Sequence, residues 1–237
     1  VLGFDWHSSG LTTTTCGALK EGTKDISRQL GLYICGGKGA ASRRTPDEII
    51  TAGEYVKVNP EELVYASRMS AKVDSAAVQD GYQVYQHTFF FTQAGEWAVV
   101  QQGMNEQNGY ARRYHWLGEG VGDFVCEPHS AVCSAARGQM TLNLVAEESE
   151  GVRCRSAELS REHPEKLGGE LKKCISLELP ARHAIIARDI NPERISKIWL
   201  KTYDDASQAQ TFEQLLGVKG IGPKTLRALA LLSELIY

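Results

Sequence analysis

Near the C-terminal end of the chain, Leu215, Leu216, Val218, Ile221, Leu226, Leu229 and Leu232 recur at helical spacing and would form the inner face of a helical hairpin. Upstream, the apolar residues gather in short runs instead. Residues 30–35 read as a buried strand, and residues 82–92 and 96–102 read as two strands joined by a turn at Gln93-Ala94-Gly95. Three helix starts stand out: Thr45-Pro46-Asp47-Glu48, Asn59-Pro60-Glu61-Glu62 and Asn191-Pro192-Glu193-Arg194. Each sets a capping side chain before proline, with an acid in the first turn. The second predicts a helix from Pro60 to near Gln79, and a further helix is expected to begin after Thr12–Thr15. Residues 109–126 mix glycine with aromatics and read as functional loops, while residues 147–173 turn charged and polar.

These patterns predict an α/β or α+β main body with a helical C-terminal domain. The main body, residues 1–150, would carry the catalytic or nucleic-acid-binding surface. Residues 151–179 would be a charged linker or surface helices, and residues 180–237 the helical domain. A chain of 237 residues buries a sizeable core. Its net charge of −3 gives no global attraction to nucleic acid, so any such affinity must be local. No apolar run is long enough to span a membrane and no signal peptide is visible, which predicts a cytoplasmic protein without a membrane partner; a homo-oligomer is compatible with the sequence. The chain opens on Val1 in a strand-like stretch, so further residues upstream are expected to belong to the fold.

The C-terminal turn offers the most specific chemistry. Gly220 and Gly222 carry no side chain and tolerate positive φ, so their amides can approach an anion closely. Pro223 suits the first position of the following helix, whose dipole adds positive potential at the same spot. Lys219, Lys224 and Arg227 add charge around it, a combination suited to a phosphate oxygen.

This segment resembles the helix-hairpin-helix DNA-binding motifs, whose hydrophobic-Gly-hydrophobic-Gly turn and later small residue read here as Val218, Gly220, Ile221, Gly222 and Ala228. The resemblance implies that the turn amides grip the sugar-phosphate backbone without reading sequence. No Asp follows Gly222, so the glycosylase branch of that family does not fit, and the hairpin reads as a terminal clamp. The segments Gly3-Phe-Asp-Trp-His-Ser-Ser-Gly10, Cys35-Gly-Gly-Lys-Gly39 and Arg112-Arg-Tyr-His-Trp116 make most of the chain similar to an uncharacterised prokaryotic family common in archaea, domain of unknown function 763. That likeness carries no activity with it.

Candidate chemistry elsewhere is read from residue type. Gly36-Gly-Lys-Gly39 lacks the Ser or Thr of a nucleotide-binding loop. With Lys38, Arg43 and Arg44 it forms either a nucleic-acid phosphate cradle or a plain turn. Asp5 and His7 at a strand end suit metal ligation, proton transfer or turn capping. Asp74 and Asp80 before the strand pair, with Glu96 beyond its turn, are similar to nucleases that hold magnesium or manganese on carboxylates and activate water against phosphorus. Gln101-Gln102-Gly103 stands where such enzymes place an acid and a lysine. Glu127 and His129 are further candidates for acid–base work, and zinc at Cys126, His129 and Cys133 is unfavoured for want of a fourth ligand. Arg112, Arg113 and Trp116, among Tyr110, Tyr114 and His115, read as a surface that stacks bases and contacts phosphates, or as a core with a charged rim. The leading expectation is a DNA-binding, metal-dependent nuclease of repair or recombination. A non-catalytic DNA-structure binder and a metal-independent base-repair enzyme remain open.

Overall fold

The computed structural model describes residues 9–134, 141–187 and 189–235. It is a mixed α/β fold with an antiparallel sheet and C-terminal helices. The chain divides into two compact units, one made of Val1–Asp74, Gly81–Phe124 and Pro128–Gln139, the other of Ser75–Asp80, Val125–Glu127 and Met140–Tyr237. The second unit thus takes residues 75–80, 125–127 and 140–150 from the expected 1–150 body and extends through the expected 151–179 stretch. Asp5 and His7 lie outside the described residues.

The first unit opens with helices α1 (Ser9–Thr23) and α2 (Ser27–Leu30), strand β1 (Leu32–Lys38), and helices α3 (Thr45–Ala52) and α4 (Pro60–Lys72). The chain passes through β2 (Val78–Gln79) of the second unit before returning in β3 (Gln83–Thr92), β4 (Trp97–Met104), β5 (Ala111–Leu117) and β6 (Ala131–Ser134). The five strands of the first unit form one antiparallel sheet in the order β1-β3-β4-β5-β6. Because side chains alternate across a strand, His87, Phe89 and Phe91 share one face with Val99, Gln101, Tyr114 and Trp116. Helix α4 packs against β3 and β4, and buries Leu63, Val64 and Met69. Asn59 caps α4 as its pattern predicts, its side-chain oxygen accepting from the Glu61 amide at 3.1 Å.

Four expectations change here. The helix from Pro60 ends at Lys72, Val73–Ala77 forms a π-helical turn, and Val78–Gln79 is a strand. The wider turn delivers the Asp74 carboxylate to indole, amide and imidazole donors, a use often made of such turns. Residues 111–117 form a paired strand rather than part of the loop that the glycines and aromatics of 109–126 predict. Gly36 and Gly37 belong to β1 rather than to a cradle: Gly36 (φ +84°) lies where a Cβ would come within 2.3 Å of the His87 carbonyl oxygen. Its amide donates to Glu48 at 2.7 Å, and its carbonyl accepts from Lys20 at 2.9 Å, so the Gly36 amide is already engaged. Helix α3 begins where expected, but the Thr45 hydroxyl donates back to the Ser42 carbonyl instead of capping.

The second unit pairs β2 with β7 (Leu142–Asn143) and adds α5 (Glu150–Leu159), α6 (Pro164–Ser176), α7 (Ala181–Ala187), α8 (Pro192–Ala206), α9 (Phe212–Gly217) and α10 (Pro223–Leu235). The stretch 151–179, expected as a charged linker or surface helices, is largely helical: α5 and α6 bury Leu159, Leu167 and Leu171, and Arg153 donates to the carbonyls of Leu144 and Ala146 at 2.9 and 2.6 Å. Asn191 caps α8, accepting from the Arg194 amide at 2.9 Å. Helix α10 packs on α5, α7, α6 and α8, with Leu226, Leu229 and Leu232 buried as their spacing predicts. Among the described residues no helix is long and apolar enough to cross a membrane.

Candidate functional site

Two places concentrate chemistry, one in each unit. In the first unit, neighbouring polar residues cross the sheet on both faces at one level. On the face carrying Phe89, the register aligns Gly37, His87, Gln101 and Tyr114; on the opposite face it aligns Lys38, Gln86, Gln102, Arg113 and Cys133. Gln101 and Gln102 are fully buried and His87 is 3% exposed, in strands otherwise built from Phe, Val and Trp. Amides and imidazoles placed so deep must bond to one another.

They do. The Ser67 hydroxyl lies 2.9 Å from His87 Nε2, and His87 Nδ1 lies 2.9 Å from Gln101 Oε1. Gln101 Nε2 donates to the Ser70 carbonyl at 3.2 Å and to Asp74 Oδ2. Trp116 Nε1 donates to the same oxygen at 3.0 Å, and His129 Nε2 lies 2.5 Å from Asp74 Oδ1. The bonds fix the direction of each proton. Gln101 uses its nitrogen as a donor, so its oxygen accepts from His87 Nδ1–H, and neutral His87 accepts the Ser67 proton at Nε2. Burial pushes the His87 pKa down to about 4, against the raising effect of the Gln101 bond, which keeps the ring neutral at pH 7.

Asp74 is fully buried with three N–H donors on its two oxygens. His129 is the end of the line nearest solvent: its side chain is 10% exposed, with its ring centre 4.7 Å from that of Trp116 and 5.9 Å from that of Tyr114. Nε2–H donates to Asp74, so Nδ1 is the ring nitrogen left to exchange a proton. Nδ1 has no hydrogen bond among the described residues.

On the other face, Arg113 Nε donates to the Thr12 hydroxyl at 2.6 Å and to Gln102 Oε1 at 3.1 Å. Arg113 is 5% exposed and Trp116 only 1%, so the base-stacking surface expected of this segment does not form around them. Their charge and ring are taken up inside the sheet. Arg112 lies over the Tyr82 ring at 4.4 Å. His115 has its pKa lowered by burial first and by Arg113 second. Lys38, Arg43 and Arg44 are exposed, with the Lys38 ammonium 5.8 Å from the Tyr85 ring centre.

The remaining candidate carboxylates lie apart from this line in sequence. Glu96 accepts from the Thr92 hydroxyl at 3.0 Å at the end of β3. In the second unit Asp80 follows β2, half-buried, and Glu127 (φ +42°) accepts from the Glu147 amide at 3.2 Å. Magnesium or manganese ligation by Asp74 does not fit its surroundings: the carboxylate is buried and already bonded to indole, amide and imidazole N–H groups, which a cation would repel. Among the described residues, no three His, Cys, Asp or Glu side chains are grouped to hold a metal.

The second place is the turn between α9 and α10. Thr211 caps α9, its hydroxyl accepting from the Gln214 amide at 3.2 Å. After Gly217 the chain extends at Val218, and Gly220 adopts φ +98°, a left-handed conformation that requires glycine. Ile221 is 2% exposed and anchors the turn from inside, while Lys219, Gly220 and Lys224 are exposed. The first-turn amides of the 13-residue α10 have no intrahelical acceptors. Gly222 departs from expectation, since its φ is not positive; a Cβ there would meet nothing within 4 Å. Arg227 departs as well. Its Nε donates to Gln79 Oε1 at 2.8 Å, Gln79 Nε2 donates to the Pro223 carbonyl at 2.8 Å, and burial lowers the guanidinium pKa. It braces the hairpin rather than facing solvent beside the lysines.

His87, Ser67 and Gln101 were not picked out as site residues from the sequence. The available signal was polarity: Gln86-His87-Thr88 inside a Phe-rich strand and Gln101-Gln102 closing an apolar one. Comparison with curated proteins and with solved structures finds no match to the chain. A family model does match it, over residues 1–237, and the chain belongs to that family, described as protein of unknown function (DUF763).

Proposed function

We propose that this protein binds the phosphate backbone of DNA through the α9–α10 turn. The observation that carries the reading is Gly220 at φ +98°, which turns the chain so that an exposed glycine and two exposed lysines meet the open N-terminus of α10. Backbone amides and a helix dipole attract a phosphate oxygen without reading bases. Gly222 supplies a clean test, because a side chain there meets no protein atom within 4 Å. Gly222→Val leaves the fold intact and obstructs the approach of a phosphate. A fluorescence-anisotropy titration with labelled duplex and single-stranded DNA is expected to show at least tenfold weaker binding. Unchanged binding with a folded variant ends the proposal.

A hydrolytic activity is the second reading, and the Asp74–His129 pair favours it. Asp74 orients the ring and stabilises the cation that forms when Nδ1 takes a proton, the arrangement that makes histidine a general base toward water or a hydroxyl. The metal-dependent form of this reading needs ligands other than Asp74. End-labelled DNA incubated with magnesium, manganese or EDTA separates the readings. Products lost in His129→Gln, with binding retained, establish catalysis at the pair. Binding without products under all three conditions establishes a non-catalytic DNA-binding protein.

A further inference from the structure

A groove of about 440 Å³ lies in the first unit beside the N-terminal half of α4, away from the α9–α10 turn in sequence and independent of the DNA reading. Tyr65, Trp97 and Phe124 form its aromatic wall. Tyr65 meets Phe124 edge-on at 5.7 Å between ring centres, and Trp97 runs parallel to Phe124 at 6.1 Å. Trp97 also stacks on the buried Phe89 at 5.7 Å, and a Cβ on Gly118 would come within 2.7 Å of its indole. The wall is therefore held in place from behind. Tyr65 is nonetheless 46% exposed, and Trp97 and Phe124 are half-buried.

The charged side chains lining the groove are Glu61 and Glu62, and neither makes an ion pair among the described residues. No lysine or arginine lines it. Carboxylates exclude an anionic ligand. Aromatic rings give a hydrated metal ion no oxygen ligands on that side, whereas their negative faces attract a weakly hydrated organic cation. The volume lies in the range of small-molecule sites rather than of a single ion.

We propose that this groove binds a small organic cation, an ammonium carrying apolar substituents. Its charge would lie toward Glu61 and Glu62 and its carbon body against Tyr65 and Phe124. The probe is choline, with 3,3-dimethyl-1-butanol as its uncharged isostere. The readout is the Trp97 indole N–H resonance, assigned by Trp97→Phe, in ¹⁵N-labelled full-length protein. Saturable shifts are expected with choline, and affinity for the isostere at least about tenfold weaker. The double variant Glu61→Gln/Glu62→Gln, both positions being exposed, should fold normally and weaken choline binding roughly three- to thirtyfold. Tyr65→Ala should weaken it over the same range. Absence of saturable binding, or equal affinity for the isostere, overturns the proposal. Tighter binding of a trimethyl-lysine peptide than of choline overturns the small-molecule assignment.

Discussion

The polar row in the first unit and the glycine turn in the second handle hydrogen-bonding groups in opposite ways. In the row, Ser67, His87, Gln101, Asp74 and Trp116 bond to one another behind the surface, and only His129 reaches toward solvent. In the turn, the first-turn amides of α10 have no acceptor within their own helix and two lysines are exposed. A buried, mutually bonded network makes folding depend on each member, because deleting one leaves the others desolvated and unpaired. The exposed side-chain positions of the turn, unlike Gly220 itself, contribute little to folding and can be altered almost without structural cost. The two regions should therefore fail differently under mutation: the row through stability, the turn through binding.

The largest effect that would sharpen this contrast is at Asp74. Asp74→Ala strands three buried N–H donors and should cost roughly 3 kcal/mol or more in urea unfolding. A loss under 1 kcal/mol would mean the network is not a structural unit. Next comes pH. The folded-state pKa of His87, about 4, lies below its ordinary value of 6.5, so the unfolded chain binds the extra proton first. Stability from this residue is complete above about pH 6.5 and is lost as pH falls toward 4, by on the order of 3 kcal/mol. His87→Gln should flatten that part of the pH–stability curve, and a curve unchanged by the substitution would assign the slope to another group.

The turn supplies the contrasting cases. Gly220→Ala meets both a positive φ and Thr202 Cγ2 at 2.9 Å, and should lose about 1–2 kcal/mol of stability. Gly222→Val should change stability by less than about 1 kcal/mol while weakening DNA binding. If the two glycines behave alike in both assays, the separation of structural from binding roles within the turn is lost. The smallest change is expected for Lys219→Ala or Lys224→Ala. Each should lower the slope of log affinity against log salt by about 1, with no shift in unfolding midpoint.

The elements legible in the sequence were those whose local chemistry decides their shape. Asn59-Pro60 and Asn191-Pro192 announce their helices because the cap and the proline act within a single turn. The leucines of α10 are legible because an inner face repeats every three or four residues. What stayed hidden depends on partners far along the chain. Trp116 and Arg113 looked like a nucleic-acid surface because nothing local shows that Asp74 and Thr12 bond to them. The π-turn at Val73–Ala77 was unreadable for a related reason: its departure from α-helix delivers Asp74 to donors on β4 and β5. Asp74 and His129 could be named as reactive types, but their pairing is tertiary, across 55 residues of chain.

The Gln79 bridge has a bearing on how the protein is made. Gln79 links the Pro223 carbonyl to the Arg227 guanidinium across more than 140 residues, within a unit that also draws on residues 125–127. During synthesis, the early pieces of that unit leave the ribosome long before α10 exists to meet them. The second unit can therefore complete its fold only after α10 has emerged. A fragment beginning at residue 180 would carry the hairpin sequence without the side chain that braces it, so the hairpin depends on a residue made more than 140 positions earlier.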